Sequence, residues 1–148
     1  MESLDRYFHT QASQDVRRKA NGVFVLVTRD SPDRVLGYYT LCATALPQGE
    51  VPAAARKHVP RYPLVSATLL GRLAIAVTRQ GEGLGAILLA DAVRRATASA
   101  TTIGSSMLVV DTLDLRAAAF YEANGFVKLP DSLRLVLPMH VIQGLLEK

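Results

Sequence analysis

Gly71-Arg-Leu-Ala-Ile-Ala-Val77 runs directly into Thr78-Arg-Gln-Gly-Glu-Gly-Leu-Gly85. The first part is an apolar run of strand-forming residues, and the second is a glycine-rich turn that opens a helix, predicted from Leu84 to about Ala100. Glycine lets the backbone approach a ligand closely, because no Cβ stands in the way. The first N–H groups of a helix have no partner within it, and the helix dipole is positive there. Strand, turn and helix together therefore predict a cradle for a phosphate group.

The sequence of this turn can be compared with two familiar phosphate-binding loops. A nucleoside-triphosphatase loop ends in Gly-Lys-Ser/Thr, whereas this turn ends in Gly85-Ala-Ile87, which argues against that class. The dinucleotide fingerprint fits Gly81, Gly83 and Ala86, with Asp111 at the end of the next predicted strand. It is the weaker alternative, because about 70 residues with two predicted strands precede the turn and too little chain follows Asp111 for several more βα units.

The turn also reads Gln80-x-x-Gly83-x-Gly85. This pattern resembles the Q/R-x-x-G-x-G/A loop with which GNAT acetyltransferases hold the pyrophosphate of coenzyme A. Further motifs resemble one subgroup in order and spacing, the GNAT toxins of bacterial toxin–antitoxin operons. These motifs are Leu4-Asp-Arg-Tyr-Phe8, Gln11-Ala-Ser-Gln14, Arg61-Tyr-Pro63, Leu70-Gly-Arg-Leu-Ala74, Leu108-Val-Val-Asp111 and Ala119-Phe-Tyr-Glu-Ala-Asn-Gly-Phe126. The resemblance spans roughly residues 3–138.

Periodicity and turn residues place the remaining elements. The predicted helices cover 3–20, 53–57 and 115–123, the predicted strands cover 23–27, 35–46, 64–77, 107–111, 126–129 and 133–138, and the tail from 141 is weakly helical. The turn at 30–33 is too short for a parallel crossover, so the first two strands are antiparallel. This order gives an α+β protein with a mixed, mostly antiparallel sheet flanked by helices. The resemblance implies the GNAT acyltransferase fold, with a central βαβ unit that binds acetyl-CoA.

The resemblance implies one departure at the N-terminus. GNAT proteins usually carry a β-strand before the first helix, whereas this chain begins inside that helix. Either translation starts further upstream or an edge strand is missing. Otherwise we expect residues 1–148 to form a single GNAT acetyltransferase domain.

The resemblance places the acetyl donor along the strand and the turn. The pantetheine arm lies along residues 73–77, where backbone groups pair with its amides like an added strand. The expected donor-binding residues are Leu73, Ala74, Ile75, Val77, Arg79, Gln80, Gly81, Glu82, Gly83, Leu84 and Gly85. A backbone N–H near Ala74 or Ile75 is the expected donor to the oxyanion. The residues alone also fit a buried core strand and a solvated Arg79.

Tyr121 stands in Phe120-Tyr-Glu, on the helix after Asp111, where the resemblance places the catalytic tyrosine. A phenol stays protonated at neutral pH and can donate its proton to a leaving thiolate. Without the resemblance, a structural tyrosine with a packed ring is the preferred interpretation. No general base stands out, because Asp111, Asp114 and Glu122 suit caps, ion pairs or solvent equally well.

The expected acceptor is a weak base that carries phosphates. The α-amine of an aminoacyl ester is less basic than lysine, so more of it is neutral at pH 7. The toxin relatives acetylate this amine on charged tRNA, and the resemblance implies aminoacyl-tRNA here. Candidate phosphate contacts are Arg17, Arg18, Arg61, Arg72 and Arg94, and solvated surface arginines are the plain alternative. The resemblance also implies a ribbon-helix-helix antitoxin as partner, and a homodimer is a further expectation.

Composition limits these interpretations. Of the 148 residues, 49% are hydrophobic and 20% charged, which favours a packed core over extended disorder. The 17 basic and 13 acidic residues give a net charge of +4, which permits an anionic partner. One cysteine, Cys42, and three scattered histidines favour no metal site. Since the start lacks a signal peptide and no apolar run reaches about 18 residues, we expect a bacterial cytoplasmic protein without a membrane span.

Two other functions are alternatives to the tRNA-acetylating toxin. One is a GNAT acetyltransferase that acts on a small amine or on a protein N-terminus. The other is a truncated relative that binds coenzyme A or its antitoxin without turnover. Growth arrest on expression distinguishes the toxin from the first alternative, and acetyl-CoA turnover distinguishes both enzymes from the second.

Overall fold

The structure is a computed structural model that describes residues 22–146. Its strands are β1 (Gly22–Leu26), β2 (Gly37–Pro47), β3 (Leu64–Ile75), β4 (Met107–Asp111), β5 (Val127–Lys128) and β6 (Arg134–Pro138). Its α-helices are α1 (Leu84–Ile103), α2 (Leu115–Ala123) and α3 (Met139–Leu146), and 3-10 helices occupy Gln48–Glu50, Ala53–His58 and Val77–Arg79. The predicted helix over 3–20, with Arg17 and Arg18, lies outside the described residues.

The six strands form one sheet in the order β1-β2-β3-β4-β6-β5. β1 and β2 pair antiparallel, from Gly22 opposite Leu41 to Leu26 opposite Gly37. β6 pairs antiparallel with both β4 and β5. β3 and β4 are neighbours joined by α1, the kind of crossover that parallel neighbours need. The predicted α+β class, with a mixed and mostly antiparallel sheet around a central βαβ unit, is confirmed.

The described residues group into two compact units, each with its own packing. The first combines residues 22–42 with 70–94. Its buried positions on α1 are Leu88, Leu89 and Ala92, which the helical repeat places on one face. Tyr39 of β2 is fully buried in the same unit. This unit contains the whole of the glycine turn.

The second unit combines residues 43–69 with 95–146. Its core cluster contains Leu46, Val51, Ala55, Val65, Ala67, Met107, Val109, Leu129 and Val136. Residues two apart on a strand share a face, which is why 65 and 67 of β3, and 107 and 109 of β4, enter this core together. This unit contains α2 and Tyr121. The single domain expected for residues 1–148 stays a prediction.

Two element boundaries, the end of β3 before the glycine turn and the far end of α1, differ from the predictions. β3 ends at Ile75 instead of Val77, because residues 77–79 tighten into a 3-10 turn. α1 continues to Ile103 instead of ending near Ala100, and it stops where Gly104 takes a φ of +72°. Both differences concern the ends of elements whose existence and type are as predicted.

Candidate active site

The end of β3 is anchored by two hydrogen bonds. The Ala76 N–H donates to the Leu36 carbonyl at 2.7 Å. The side chain of Gln80, which we predicted to contact phosphate, turns back so that its Nε2 donates to the Ile75 carbonyl at 3.3 Å. These bonds close the base of the turn and fix where it leaves the strand.

The predicted strand contacts to the donor differ in exposure. Ala74 is buried, Leu73 and Ile75 are half-buried, and Val77 is exposed. A groove of about 510 Å³ opens beside this strand end, and its lining includes Leu36, Tyr38, Ala74, Val77, Arg34 and Thr78. Its size is within the range of small-molecule sites, and its walls combine apolar side chains with a few polar groups.

Gly81 and Gly83 have left-handed backbone conformations, with φ of +84° and +78°. Glycine takes this region without the strain that a Cβ causes. A Cβ built at either position would meet no atom within 4 Å, so the space in front of the turn is open. α1 begins at Leu84, directly after the second of these glycines. The turn therefore offers backbone donors and a positive dipole end to an anion.

Arg79 and Glu82 form an ion pair across the turn, with 2.9 Å between Nε and Oε2. Both side chains are partly exposed, so the pair contributes at most about 1 kcal/mol to stability. An anionic ligand can therefore compete with Glu82 for the Arg79 guanidinium at little cost. Because these two side chains cancel in charge, the local attraction for an anion comes from the backbone.

α2 is capped at both ends. The Oδ1 of Asp114 accepts a hydrogen bond from the Ala117 N–H at 2.8 Å, which makes Asp114 the N-cap. At the other end Gly125 has a φ of +95°, and the Phe126 N–H donates to the Tyr121 carbonyl at 3.1 Å. The short helix that carries Tyr121 is thus fixed by residues next to it in the sequence.

Tyr121 is buried on α2 and packs its ring between two aromatic neighbours. The residue is 7% exposed, and its ring packs edge-on against Phe126 and Phe120, with centroids 5.4 Å and 5.1 Å away. Among the described residues, no fully buried side-chain polar atom lacks a hydrogen-bond partner. Burial raises the pKa of Tyr121 to about 12, so the phenol is protonated at physiological pH, as an ordinary phenol is.

The acidic residues near Tyr121 in the sequence have structural partners. Asp111 accepts two hydrogen bonds from Arg134, at 2.7 Å from Nε and 3.0 Å from Nη2, across the paired strands β4 and β6. The bond to Asp111 raises the pKa of the Arg134 guanidinium. Asp114 serves as the cap described above, and Glu122 is exposed. Asp111 is thus engaged in an ion pair, and Asp114 acts as a helix cap.

The arginines predicted to contact RNA differ in their surroundings. Arg61 is exposed, and Arg72 is half-buried. Arg94 leaves 72% of its side chain exposed, and its Nη2 lies 2.6 Å from Oδ1 of Asp91. Arg61 and Arg94 are therefore accessible to a large anionic partner.

Sequence reasoning missed two long-range contacts. The Tyr39 hydroxyl donates to Oδ2 of Asp91 at 2.5 Å, across a sequence separation of 52 residues. The rings of His58 and His140 stack with centroids 4.0 Å apart, and burial together with the nearby His58 lowers the pKa of His140. Neither pair belongs to a local motif, and a contact of this kind leaves no period or spacing in the sequence.

Within residues 22–146, no group of three or more His, Cys, Asp or Glu side chains is arranged to hold a metal ion. None of the helices in that range has both the length and the apolar character needed to span a membrane.

The fold and the glycine turn together are those of an acyl-CoA N-acyltransferase. Residues 20–128 match the family model of the acetyltransferase (GNAT) domain, and the chain belongs to this family. A tRNA-acetylating toxin of Mycobacterium tuberculosis is 34% identical over 145 residues, which are 97% of this chain and 84% of the relative.

Solved structures agree with this assignment. AtaT complexed with acetyl-methionyl-tRNAfMet has a TM-score of 0.89 and 32% identity, with 99% of this chain and 87% of that chain covered. A tyrosine-to-phenylalanine mutant of the AtaT toxin, bound to the C-terminus of the antitoxin AtaR and to acetyl-CoA, has a TM-score of 0.82 and 29% identity, with 100% and 86% covered. The GNAT fold and the toxin subgroup predicted from the sequence motifs are confirmed.

Proposed function

We propose that this protein transfers the acetyl group of acetyl-CoA to the α-amine of an aminoacyl-tRNA, and so blocks translation as the toxin of a toxin–antitoxin pair. The similarity to a tRNA-acetylating toxin along nearly the whole chain carries the proposal. The likeness to AtaT, whose structure holds acetyl-methionyl-tRNAfMet, supports the same class of acceptor.

The donor binds along the end of β3 and in the turn that follows. The strand contributes backbone groups to the pantetheine amides, and the turn and the helix start contribute N–H groups to the pyrophosphate. The left-handed glycines at 81 and 83 and the open space in front of them support this placement. The full proposed set is Leu73, Ala74, Ile75, Val77, Arg79, Gln80, Gly81, Glu82, Gly83, Leu84 and Gly85.

Tyr121 is the proposed catalytic residue. As the amine nitrogen bonds to the acetyl carbon, the carbon–sulfur bond breaks and its electron pair goes to sulfur. Tyr121 donates its proton to that sulfur and regains one from solvent, while the nitrogen loses a proton to solvent. A backbone N–H of Ala74 or Ile75 stabilises the charge that develops on the carbonyl oxygen. The phenol of Tyr121 is protonated at neutral pH, as this role requires, and burial raises its pKa to about 12.

No side chain among the described residues is assigned as a general base. Asp111 is paired with Arg134, and Asp114 caps α2. An α-amine next to an ester is a weak base, so much of it is already neutral at pH 7 and water can accept its proton. The proposed acceptor thus makes a dedicated base unnecessary.

Five arginines are the proposed contacts to tRNA phosphates, namely Arg17, Arg18, Arg61, Arg72 and Arg94. Guanidinium groups bind phosphate oxygens with two parallel hydrogen bonds. The exposure of Arg61 and Arg94 supports the assignment, and Arg94 must share or release Asp91 when it binds. Because phosphate contacts release counterions, binding should weaken steeply as salt rises.

We further propose a ribbon-helix-helix antitoxin as partner and a bacterial cytoplasmic location, with a homodimer as the form of the free toxin. The complex of AtaT with the C-terminus of AtaR supports an antitoxin partner in general. Co-expression with the adjacent small gene should give a stable complex. If the two proteins purify separately and the cell grows normally without the small protein, the toxin role is wrong.

The test of the function is an incubation of the purified protein with labelled acetyl-CoA and total charged tRNA. Label should appear on the aminoacyl group and should vanish when the tRNA is deacylated beforehand. A matched reaction with Tyr121→Phe measures the background. Label on small amines or protein N-termini, with charged tRNA unmodified, would make the chain a GNAT enzyme of another specificity. Donor binding without transfer to any acceptor would favour the non-catalytic relative.

A further inference from the structure

Residues 36–39, at the start of β2, contact both the strand and the helix that flank the glycine turn. The Leu36 carbonyl accepts the hydrogen bond from Ala76 described above. At Gly37 there is no room for a side chain, because a Cβ would stand 2.8 Å from the Ala74 carbonyl oxygen and 2.9 Å from Cδ1 of Leu88. Glycine at this position therefore lets β2 pack directly against β3 and α1.

Tyr39 lies two residues further along β2, on the same side of the sheet as Gly37. Its ring is fully buried and stacks on Phe24, with centroids 5.1 Å apart. Its hydroxyl donates to the Asp91 carboxylate at 2.5 Å. Asp91 lies about one helical turn after Leu88, so β2 contacts α1 at two successive turns. A hydrogen bond to a carboxylate is strong and directional.

The Tyr39–Asp91 bond fixes α1 in a way that its apolar contacts do not. The buried side chains of Leu88, Leu89 and Ala92 pack against neighbours without a preferred direction. The hydrogen bond instead defines one point on the helix to within a few tenths of an ångström. The other carboxylate oxygen of Asp91 accepts from Arg94 at 2.6 Å, which holds the carboxylate in its orientation.

We propose that Tyr39 is a positioning residue for the acetyl donor, because through Asp91 it holds the start of α1 at the spacing from the end of β3 that a pyrophosphate requires. Asp91 lies about two turns after the helix start, so a rigid helix transmits a shift at Asp91 to the N–H groups of its first turn. The inference rests on the proposed donor site at residues 79–85. It predicts an effect on affinity for donors that contain a pyrophosphate, and none on the chemistry at the acetyl group.

Tyr39→Phe tests this role, because it removes the hydroxyl and keeps the ring on Phe24. The acetyl-CoA Kd, measured by calorimetry, should rise about five- to twentyfold, because part of the binding energy must then restore the position of the helix start. The kcat at saturating acetyl-CoA should stay within about twofold of wild type. S-acetylpantetheine lacks the pyrophosphate, so its kcat/KM should not change. Asp91→Asn keeps an acceptor oxygen and should give a smaller loss, while Tyr62→Phe, at an exposed tyrosine, should leave the Kd unchanged.

The possible results distinguish a failure of the positioning role of Tyr39 from a failure of the proposed donor site at residues 79–85. An equal loss for acetyl-CoA and S-acetylpantetheine would show a general structural role for Tyr39 and overturn the inference. An unchanged Kd in a folded Tyr39→Phe variant would overturn it as well. If Gly83→Val weakens acetyl-CoA binding but Tyr39→Phe does not, only the positioning role is wrong, whereas no effect of Gly83→Val refutes the donor site. If Tyr39→Phe does not fold, Asp91→Asn decides with the same two donors.

Discussion

The two parts of the proposed site are built by different physical means. The turn at residues 79–85 is made from backbone, with left-handed glycines, open space and an exposed ion pair. α2 is made from packed side chains, with the ring of Tyr121 buried beside Phe120 and Phe126 and both helix ends capped. The turn can therefore select a ligand by main-chain shape and charge, whereas α2 fixes the position of one phenol by packing its ring. We expect substitutions in the turn to change donor affinity and substitutions at Tyr121 to change turnover.

The largest expected effect is at Tyr121. Tyr121→Phe keeps the packed ring and removes the proton donor, so kcat should fall about 10²- to 10⁴-fold, as is typical for a general acid. The acetyl-CoA Kd should stay at the wild-type value, because the hydroxyl is assigned no role in holding the donor. Steady-state kinetics with charged tRNA and calorimetry measure the two quantities. Turnover close to wild type would return Tyr121 to a structural role.

The ionisation of Tyr121 provides a second test, because it measures whether the ring on α2 is buried. Its pKa is raised by burial to about 12, from the ordinary value of about 10, which lowers the ionisation constant about a hundredfold. At about pH 11 most exposed phenols are ionised, while Tyr121 should be less than roughly one-fifth ionised. The tyrosinate absorbance of wild type minus Tyr121→Phe measures this fraction, and circular dichroism checks that both proteins remain folded. A difference signal that titrates near pH 10 would contradict the buried environment.

The turn should respond to a side chain at Gly83. Gly83→Val places a branched side chain in the open space, so the acetyl-CoA Kd should rise at least about tenfold. A non-glycine residue at positive φ also adds about 1–2 kcal/mol of backbone strain. Gly104→Val is the matched control, because Gly104 has a φ of +72° and equally open surroundings at the far end of α1. Equal losses of acetyl-CoA affinity in both variants would mean that backbone strain, and not a blocked pyrophosphate site, causes the loss.

A smaller effect is expected at Glu82. Glu82→Gln removes a negative charge beside the proposed pyrophosphate site and frees Arg79 from its partner. The acetyl-CoA Kd should fall about two- to fivefold at low salt, and the gain should shrink at high salt because exposed charges are screened. Calorimetry at two salt concentrations measures both effects. Weaker binding in Glu82→Gln would show that the ion pair orients Arg79 for the ligand.

The smallest effect is expected at Asp111. Asp111→Asn breaks a partly exposed pair with Arg134, so the free energy of unfolding should fall by less than about 1 kcal/mol. The kcat and its pH dependence should not change, because no base role is assigned to Asp111. Denaturant unfolding and a pH–rate profile measure the two quantities. A large loss of kcat with a displaced acidic limb would identify Asp111 as the missing general base.

The two regions also differ in how far the sequence predicts them. The turn could be predicted because glycine spacing directly limits the backbone, and the bounds of α2 could be predicted because Asp114 and Gly125 are local signals. The role of Tyr121 came from the resemblance alone, since a buried phenol has the same local sequence whether it packs or reacts. The Tyr39–Asp91 bond could not be predicted, because its partners are 52 residues apart and share no period.

The central claim is that the turn determines donor affinity and that Tyr121 on α2 determines turnover. The most direct test is to record acetyl-CoA saturation curves of Gly83→Val and Tyr121→Phe side by side, with charged tRNA as acceptor. Gly83→Val should approach the wild-type kcat once the donor saturates it, because only binding is weakened. Tyr121→Phe should half-saturate at the wild-type donor concentration and should remain slow at every concentration. If Tyr121→Phe recovers at high acetyl-CoA while Gly83→Val does not, the two assignments are reversed and the account is wrong.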